Sequence, residues 1–228
     1  MPPQLRLTFD QTWSYSSDNF IIHRGVTDAI DCAITKATEG DGSIVFISGQ
    51  RRTGKTHLAV YVAAMLVALG HGVDVVQGMG VDAWQQNTGN KQGVQSLVID
   101  DAHTWLEGQF GEGLFLAISQ RIAETNGVLV VISAKPLWQL QINPIIERCL
   151  ADSEQTEMAA PSPEELPVLI DTMSLQRGLK FSRAKRDFIL KKVETTIAGI
   201  SDALERIQKT GEHSRASTSF KVLELALR

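Results

Sequence analysis

The sequence predicts an α/β protein with a parallel sheet, followed by a small all-helical domain. Between residues 43 and 135, apolar segments typical of buried strands alternate with helical patterns. The motif "GQRRTGKT" at 49–56 lies between one such strand and the next helix. From about residue 156, four helical patterns follow one another with no strand between them. Alternation of strand and helix predicts parallel strands with helices on both faces.

Each element is predicted from the spacing of its apolar residues and from a residue that ends the element. The helix before the motif precedes the "GDG" break at 40–42, and the helix after the motif closes at Gly70. The α/β elements are, in chain order, helix 27–37, strand 43–48, helix 56–70, strand 73–77, strand 95–103, helix 114–125 and strand 127–135. A polar stretch at 85–95 is expected to be irregular.

The helical patterns of the second domain occupy 161–178, 182–193, 196–208 and 217–228. The first of them begins with "SPEEL", which predicts a helix start with Ser162 as N-cap. We therefore divide the chain into an N-terminal segment (1–19), an α/β domain (20–158) and a helical domain (159–228).

Composition excludes several classes of protein. The chain has 228 residues and a net charge of −4, so its overall field does not favour strong direct nucleic-acid binding. No apolar run approaches the roughly 20 residues of a membrane span. The N-terminus lacks the basic and apolar blocks of a signal peptide. The two cysteines, Cys32 and Cys149, have no metal-ligand spacing. We expect a cytoplasmic protein with no membrane association.

The motif at 49–56 matches G-x-x-x-x-G-K-[ST] in full. Such glycines let backbone N–H groups cradle phosphate oxygens, and the next helix adds the positive end of its dipole. Lys55 is expected to reach the β- and γ-phosphates, and the Thr56 hydroxyl to bind Mg²⁺. The predicted nucleotide-binding residues are Gly49, Gln50, Arg51, Arg52, Thr53, Gly54, Lys55 and Thr56. The implied cofactors are ADP or ATP with Mg²⁺.

A pair of acids ends the strand pattern "LVIDD". Asp100 is expected to hold the Mg²⁺, and Asp101 to orient or activate the attacking water. Adjacent acids at a strand end also occur in solvated turns, which is the alternative interpretation.

Several segments resemble the DnaA/Hda family of AAA+ proteins, and most closely its short members of the Hda type. The matching segments are "LTFDQTWSYSSDNFIIHRGVTDAI", "GKTHL", "LVIDDAH", "VVISAKPLWQL", "PIIERCL", "TIAGISDALERI" and "STSFKVLELAL". The resemblance covers nearly the whole chain. It implies an AAA+ P-loop NTPase core with a parallel sheet of the five-stranded type, followed by a helical lid. It also implies nucleotide contacts from Ile21, Ile22, His57 and the sensor 1 residue Ser133, and an arginine finger at Arg148.

The resemblance also implies a function. The chain has no segment matching the DNA-binding domain of the initiator DnaA and ends where the lid is expected to end, as in Hda-type proteins. Such proteins bind the DNA sliding clamp (the polymerase III beta subunit) and stimulate ATP hydrolysis on DnaA, which limits re-initiation. The N-terminal "QLRLTF" resembles the clamp-binding peptide, with contacts expected from Gln4, Leu5, Leu7 and Phe9. Alternatively, this segment is a strand or anchor of the module itself.

Three positions depart from the family pattern. Ala134 stands where sensor 1 ends in an aspartate, Ala198 where sensor 2 carries an arginine, and Val26 where an adenine-proximal asparagine is common. The two alanines remove groups that would contact the γ-phosphate or its water. We therefore expect weak or no intrinsic ATPase activity, with Arg148 acting in trans. The alternative for Arg148 is an ordinary surface arginine.

Two other functions remain open. One is an ATP-driven helicase-loader type of ATPase, and the other is a nucleotide-locked adaptor between the clamp and another protein. A homodimer or a higher oligomer is among the expected assemblies. Residues 176–215 carry ten Lys/Arg against five Asp/Glu. This basic helical face is either solvated or touches DNA phosphates.

Overall fold

The computed structural model describes residues 6–7 (backbone only), 17, 20–88, 93–108, 111–212 and 218–227. The chain divides into two compact units. The first contains Val26–Arg51 and Lys55–Ala159 together with the N-terminal residues up to Phe20. The second contains Ile21–Gly25, Arg52–Gly54 and Ala160–Arg228.

The first unit is built on a six-stranded sheet in which every pairing is parallel. The strands are β1 (Arg6–Leu7), β2 (Ile44–Gly49), β3 (Val73–Gln77), β4 (Ser96–Asp100), β5 (Leu129–Ser133) and β6 (Glu154–Met158). Their order in the sheet is β1-β3-β4-β5-β2-β6. The predicted α/β class with a parallel sheet is therefore confirmed. The strands β2, β3, β4 and β5 lie where the sequence predicts strands, and β6 brings the longer strands to the five that the family resemblance implies. The strand β1 adds two residues at one edge.

Helices cover both faces of this sheet, because successive strand residues point to opposite sides. The helices are α1 (Arg24–Glu39), α2 (Lys55–Ala68), α3 (Val81–Thr88), α4 (His103–Leu106), α5 (Gly111–Glu124) and α6 (Pro144–Ala151). Val45 and Ile47 of β2 lie in one apolar cluster with α1 and α2, whereas Phe46 lies in the other with α5 and α6. The two clusters hold the central strands rigidly, so the residues at their carboxyl ends keep fixed positions.

Four elements of this unit, β6, α3, α4 and α6, were not predicted from the sequence, and β1 was expected only in the alternative interpretation of the N-terminal segment. The strand β6 reads "EQTEM" and lies at the sheet edge, where four of its five residues are at least partly exposed. A strand so exposed lacks the apolar signal on which the strand predictions relied. The helix α3 occupies 81–88, including part of the stretch expected to be irregular. The backbone of β1 pairs with β3, with Leu7 opposite Val75.

The second unit consists of α7 (Leu166–Gln176), α8 (Arg183–Leu190), α9 (Ile197–Glu212) and α10 (Phe220–Ala226) around its own apolar core. The predicted start of α7 at Ser162 is wrong, because 162–165 form a turn and the helix begins at Leu166. The Glu165 carboxylate accepts hydrogen bonds from the backbone N–H groups of Ser162 and Arg24, both at 2.8 Å. In the part of the chain that the structure describes, no helix is long and apolar enough to cross a membrane.

Candidate nucleotide-binding site

The motif at 49–56 connects the last residue of β2, Gly49, to the first residue of α2, Lys55. Two loop residues have left-handed backbone conformations, Arg52 with φ +69° and Gly54 with φ +91°. Such turns direct backbone N–H groups towards the inside of a loop, and α2 begins directly after it. The loop therefore has the strand–loop–helix context that phosphate binding requires.

Lys55 is buried at the start of α2, and its Nζ donates a hydrogen bond to the Gln50 carbonyl oxygen at 2.9 Å. Burial lowers the pKa of Lys55, while the charges of Asp101 and Asp100 act in the opposite direction. The ammonium thus lies inside the loop, bonded to the backbone that would surround a phosphate.

The Thr56 hydroxyl donates to Asp100 Oδ2 at 2.7 Å, so the two expected metal ligands are already in contact. Asp100 has no exposed surface and ends β4. Burial raises the pKa of Asp100 to about 6, although the hydrogen bond from Thr56 opposes this shift. A hydroxyl and a carboxylate are hard oxygen donors, which suit Mg²⁺, a cation that commonly takes one or two protein oxygens and completes its shell with water and phosphate.

Asp101 follows in a tight turn and adopts φ +49°, a conformation uncommon outside glycine. Its carbonyl oxygen accepts hydrogen bonds from the Thr104 N–H at 3.0 Å and the Thr104 hydroxyl at 2.8 Å. Gly78, just after β3, packs against this turn so closely that an added Cβ would lie 2.6 Å from the Asp101 carbonyl oxygen. Thr104 and Gly78 therefore fix the direction in which the chain leaves Asp100.

Ser133 ends β5, the neighbour of both β4 and β2, and is fully buried. Its hydroxyl donates to the Lys135 carbonyl oxygen at 2.7 Å and accepts from the Lys135 N–H at 3.0 Å. To donate a hydrogen bond to a nucleotide, as predicted, this hydroxyl would first have to give up its hydrogen bond to the Lys135 carbonyl oxygen.

Two contacts around this strand end were missed by sequence reasoning. The Ala134 N–H donates to His103 Nδ1 at 3.4 Å, which links the turn after β4 to the end of β5. The pKa of His103 is lowered, chiefly by burial, so a neutral ring accepting at Nδ1 is consistent with its surroundings. Lys135 Nζ lies 2.7 Å from a Glu107 carboxylate oxygen. The two residues of this ion pair are 28 positions apart in the sequence, so no local sequence pattern indicates that they meet.

Other predicted nucleotide contacts belong to the second unit. Arg52 pairs with Asp202 of α9, and lies 4.0 Å from Glu194. Ile21 packs against the helical core, whereas Ile22 is 55% exposed.

The remaining predicted site residues lie around the loop or away from it. Gln50 and Arg51 are exposed, and Thr53 and His57 are half-buried. Arg148 is exposed on α6, whose buried residues are Ile146 and Leu150. Its position on the surface is compatible with a finger and with an ordinary surface arginine alike.

Of the predicted clamp-binding residues, Gln4, Leu5 and Phe9 lie outside the described residues. For Leu7 the structure describes only the backbone, which pairs with β3.

Comparison with solved structures supports the fold class. Domain III of the replication initiation protein DnaA from Thermotoga maritima matches with a TM-score of 0.79 at 16% identity, over 93% of this chain and 95% of that one. AMPPCP-bound DnaA from Aquifex aeolicus matches with a TM-score of 0.71 at 18% identity, over 91% of this chain and 68% of that one. The RuvB Holliday junction branch migration motor from Thermotoga maritima gives 0.70 at 18% identity, over 93% and 70%.

Comparison of the sequence with protein-family models and with curated proteins gives no match. At these identities the structural likeness establishes the fold alone. The α/β unit has the fold of an AAA+ P-loop core, and the second unit is all-helical.

Proposed function

We propose that this chain is a nucleotide-bound regulator of replication initiation of the Hda type. It binds ADP or ATP with Mg²⁺, docks on the DNA sliding clamp and stimulates ATP hydrolysis on the initiator DnaA in trans. The similarity of its fold to DnaA supports an AAA+ protein, and the sequence resemblance supports the regulator.

The observation that carries the proposal is that the groups for binding a nucleotide are present, whereas two groups expected to help hydrolyse it are replaced by alanine. Lys55, Thr56 and Asp100 are assembled for binding, and two of them already share a hydrogen bond. The sensor positions instead carry the methyl groups of Ala134 and Ala198, which donate no hydrogen bond to a γ-phosphate. Such a site binds a nucleotide better than it hydrolyses one.

Arg148 supplies the complementary half of the proposal. Its exposure on α6 leaves the guanidinium accessible to a neighbouring subunit. A guanidinium fork suits the charge spread over a γ-phosphoryl group, and a finger in trans is worth roughly 10³- to 10⁵-fold in rate. The proposed partner site is the nucleotide of ATP-loaded DnaA.

The test is a reconstituted assay with clamp loaded on DNA, ATP-bound DnaA and the purified chain. Arg148→Ala is expected to abolish stimulation of the DnaA ATPase while nucleotide and clamp binding stay unchanged. Arg148→Lys is expected to restore little, because the charge remains but the fork is lost. Arg206→Ala, which removes an exposed arginine of α9, is the matched control and should stimulate like the parent. Stimulation by Arg148→Ala at the parental level would exclude the finger.

Clamp binding is tested separately at the N-terminus. The described part of this segment, Arg6 and Leu7, pairs with β3 at an edge of the sheet, so releasing these two residues breaks few hydrogen bonds. Replacing both Gln4 and Leu5 with alanine should abolish clamp binding without changing the melting temperature. Intact clamp binding by this variant would instead favour a structural N-terminal segment. A helicase-loader type of ATPase would bind no clamp with or without these changes.

A further inference from the structure

The helical unit concentrates positive charge on and around α8. Residues 180–192, "KFSRAKRDFILKK", contain six Lys/Arg and one acid, in a chain whose net charge is −4. Lys180, Arg183, Lys191 and Lys192 are exposed, and the Arg183 side chain is 88% accessible. This segment therefore differs in sign from the protein as a whole.

Two aromatic rings lie beside these charges. Phe188 of α8 and Phe220 of α10 meet edge to face, with ring centroids 5.8 Å apart and planes at 86°. Lys185 Nζ lies 5.9 Å from the centroid of the Phe220 ring. Although α10 begins with this ring, Phe220 remains 45% exposed, and Lys221 beside it is exposed. We call Lys185, Phe188, Lys192, Phe220 and Lys221 the basic–aromatic surface.

Most of the local cations are not neutralised by acids. Arg186 pairs with Asp171, and Arg183 lies 4.0 Å from Asp187. Lys180, Lys191, Lys192 and Lys221 form no ion pair with any residue that the structure describes.

Lys185 and Phe188 of α8 lie three residues apart, the spacing of neighbours on one helix face, and both contact the Phe220 ring of α10. Lys192 lies in the turn that follows α8, where its N–H bonds to the Ile189 carbonyl at 2.9 Å. Within the two helices, the four cations Arg183, Lys185, Arg186 and Lys221 stand against the two acids Asp187 and Glu224. Lys180, Lys191 and Lys192 lie just outside α8 and add to the positive charge.

We propose that the basic–aromatic surface binds single-stranded nucleic acid without sequence preference. The ammonium groups of Lys185, Lys192 and Lys221 contact phosphates, and the half-exposed Phe220 ring stacks on an unpaired base. Surfaces of this kind combine a basic track for the backbone with aromatic platforms for the bases. A duplex keeps its bases stacked on one another, so it can use the lysines but not the ring. The proposal does not depend on the nucleotide site or on Arg148.

The chemistry sets the expected strength. Each contact between a cation and a phosphate of a single strand makes binding more sensitive to salt. The logarithm of the binding constant falls with the logarithm of the salt concentration, with a slope of about −0.7 per phosphate neutralised. Three to six such contacts on an otherwise acidic chain give modest, salt-sensitive binding. This agrees with the absence of strong direct DNA binding expected from the net charge.

The test measures anisotropy of a labelled oligothymidylate with the full chain across a salt series. Replacing Lys192 and Lys221 with alanine should weaken binding at low salt about tenfold or more, and should make the salt slope about 1.4 less steep. Replacing Arg206 and Lys209, two exposed cations of α9, with alanine changes the net charge equally and is the matched control. The control should bind like the parent.

The role of the Phe220 ring is tested with Phe220→Leu, which removes the ring but keeps an apolar side chain and leaves the net charge unchanged. It should weaken binding to the oligothymidylate about fivefold or more, and leave binding to a duplex of equal length unchanged. Melting temperatures establish that each variant is folded, and Phe220→Met serves if the leucine variant melts lower. Equal losses in the α9 control would refute the proposal. So would binding to anionic phospholipid vesicles in place of the oligothymidylate, or oligothymidylate binding that does not change with Phe220.

Discussion

Replacing Asp100 with asparagine should stabilise the protein at neutral pH while it destroys the metal site. Asp100 has no exposed surface, and burial raises its pKa from 3.8 to about 6. Asparagine has nearly the same shape: its amide oxygen can accept the Asp101 N–H, as Asp100 Oδ1 does, and its NH2 group can donate to the Thr56 hydroxyl oxygen in place of Asp100 Oδ2. The variant therefore removes the buried charge but keeps the packing and both hydrogen-bonded contacts.

The magnitude follows from linkage between protonation and folding. Folded Asp100 holds its proton more tightly than the unfolded chain, so its contribution to stability falls as pH rises from about 4 to about 6. Each pKa unit corresponds to about 1.4 kcal/mol, so the full cost above pH 6 is about 3 kcal/mol. Asp100→Asn should gain up to about this amount near pH 7 and nothing near pH 4.

Urea unfolding of both proteins over this pH range, with EDTA and without nucleotide, measures the difference. Other carboxylates titrate in the same window, but they cancel between parent and variant. With Mg²⁺ and ADP added, the order should reverse, because only the parent can bind the metal through a carboxylate. Equal stability of the two proteins at neutral pH would refute the reasoning, since it would mean that folded Asp100 ionises as easily as a solvated aspartate.

Lys55→Ala should abolish nucleotide binding. ADP at about 100 times its dissociation constant should therefore stabilise the parent by roughly 2.7 kcal/mol and the variant not at all. A parent protein whose melting temperature does not change with ADP would contradict this. Gly78→Ala should destabilise the protein by about 1–3 kcal/mol, because its Cβ would lie 2.5 Å from Thr104 Oγ1 and 2.6 Å from the Asp101 carbonyl oxygen. In Gly80→Ala the nearest atom is Val76 Cγ1 at 3.5 Å, so this control should cost little, and equal losses in both would count against the close packing. The purified chain alone should turn over ATP far more slowly than the typical enzyme rate of about 10 per second, and multiple turnover near that rate in a phosphate-release assay would show that the sensor positions were misaligned.

The nucleotide loop and the buried strands could be predicted because their signals are local. A P-loop is defined by spacing within eight residues, and "LVIDD" shows its apolar run and its acids side by side. Because parallel strands end at the same edge of a sheet, the contact between Thr56 and Asp100 followed from these two motifs together. The sequence could not reveal the rise in the pKa of Asp100, because this depends on how completely the surrounding elements exclude water.

The missed features depend on contacts between distant residues. The Lys135–Glu107 pair and the hydrogen bond from Ala134 to His103 join segments that only the folded sheet brings together. Helix α7 begins four residues after the predicted N-cap at Ser162, and the Glu165 carboxylate joins this helix start to a distant segment by accepting hydrogen bonds from the N–H groups of Ser162 and Arg24.

Among the strands that the structure describes, β6 has a hydrogen-bonded neighbour, β2, on one side only. The outer edge of such a strand presents unpaired N–H and C=O groups, which can recruit a strand from another molecule. Glu154 and Glu157 are exposed along it, and bringing a second copy of this strand alongside would set like charges against each other. The polar residues that made β6 hard to predict from the sequence thus also oppose edge-to-edge pairing of two copies of this sheet. We expect this repulsion to limit aggregation through β6 at high protein concentration.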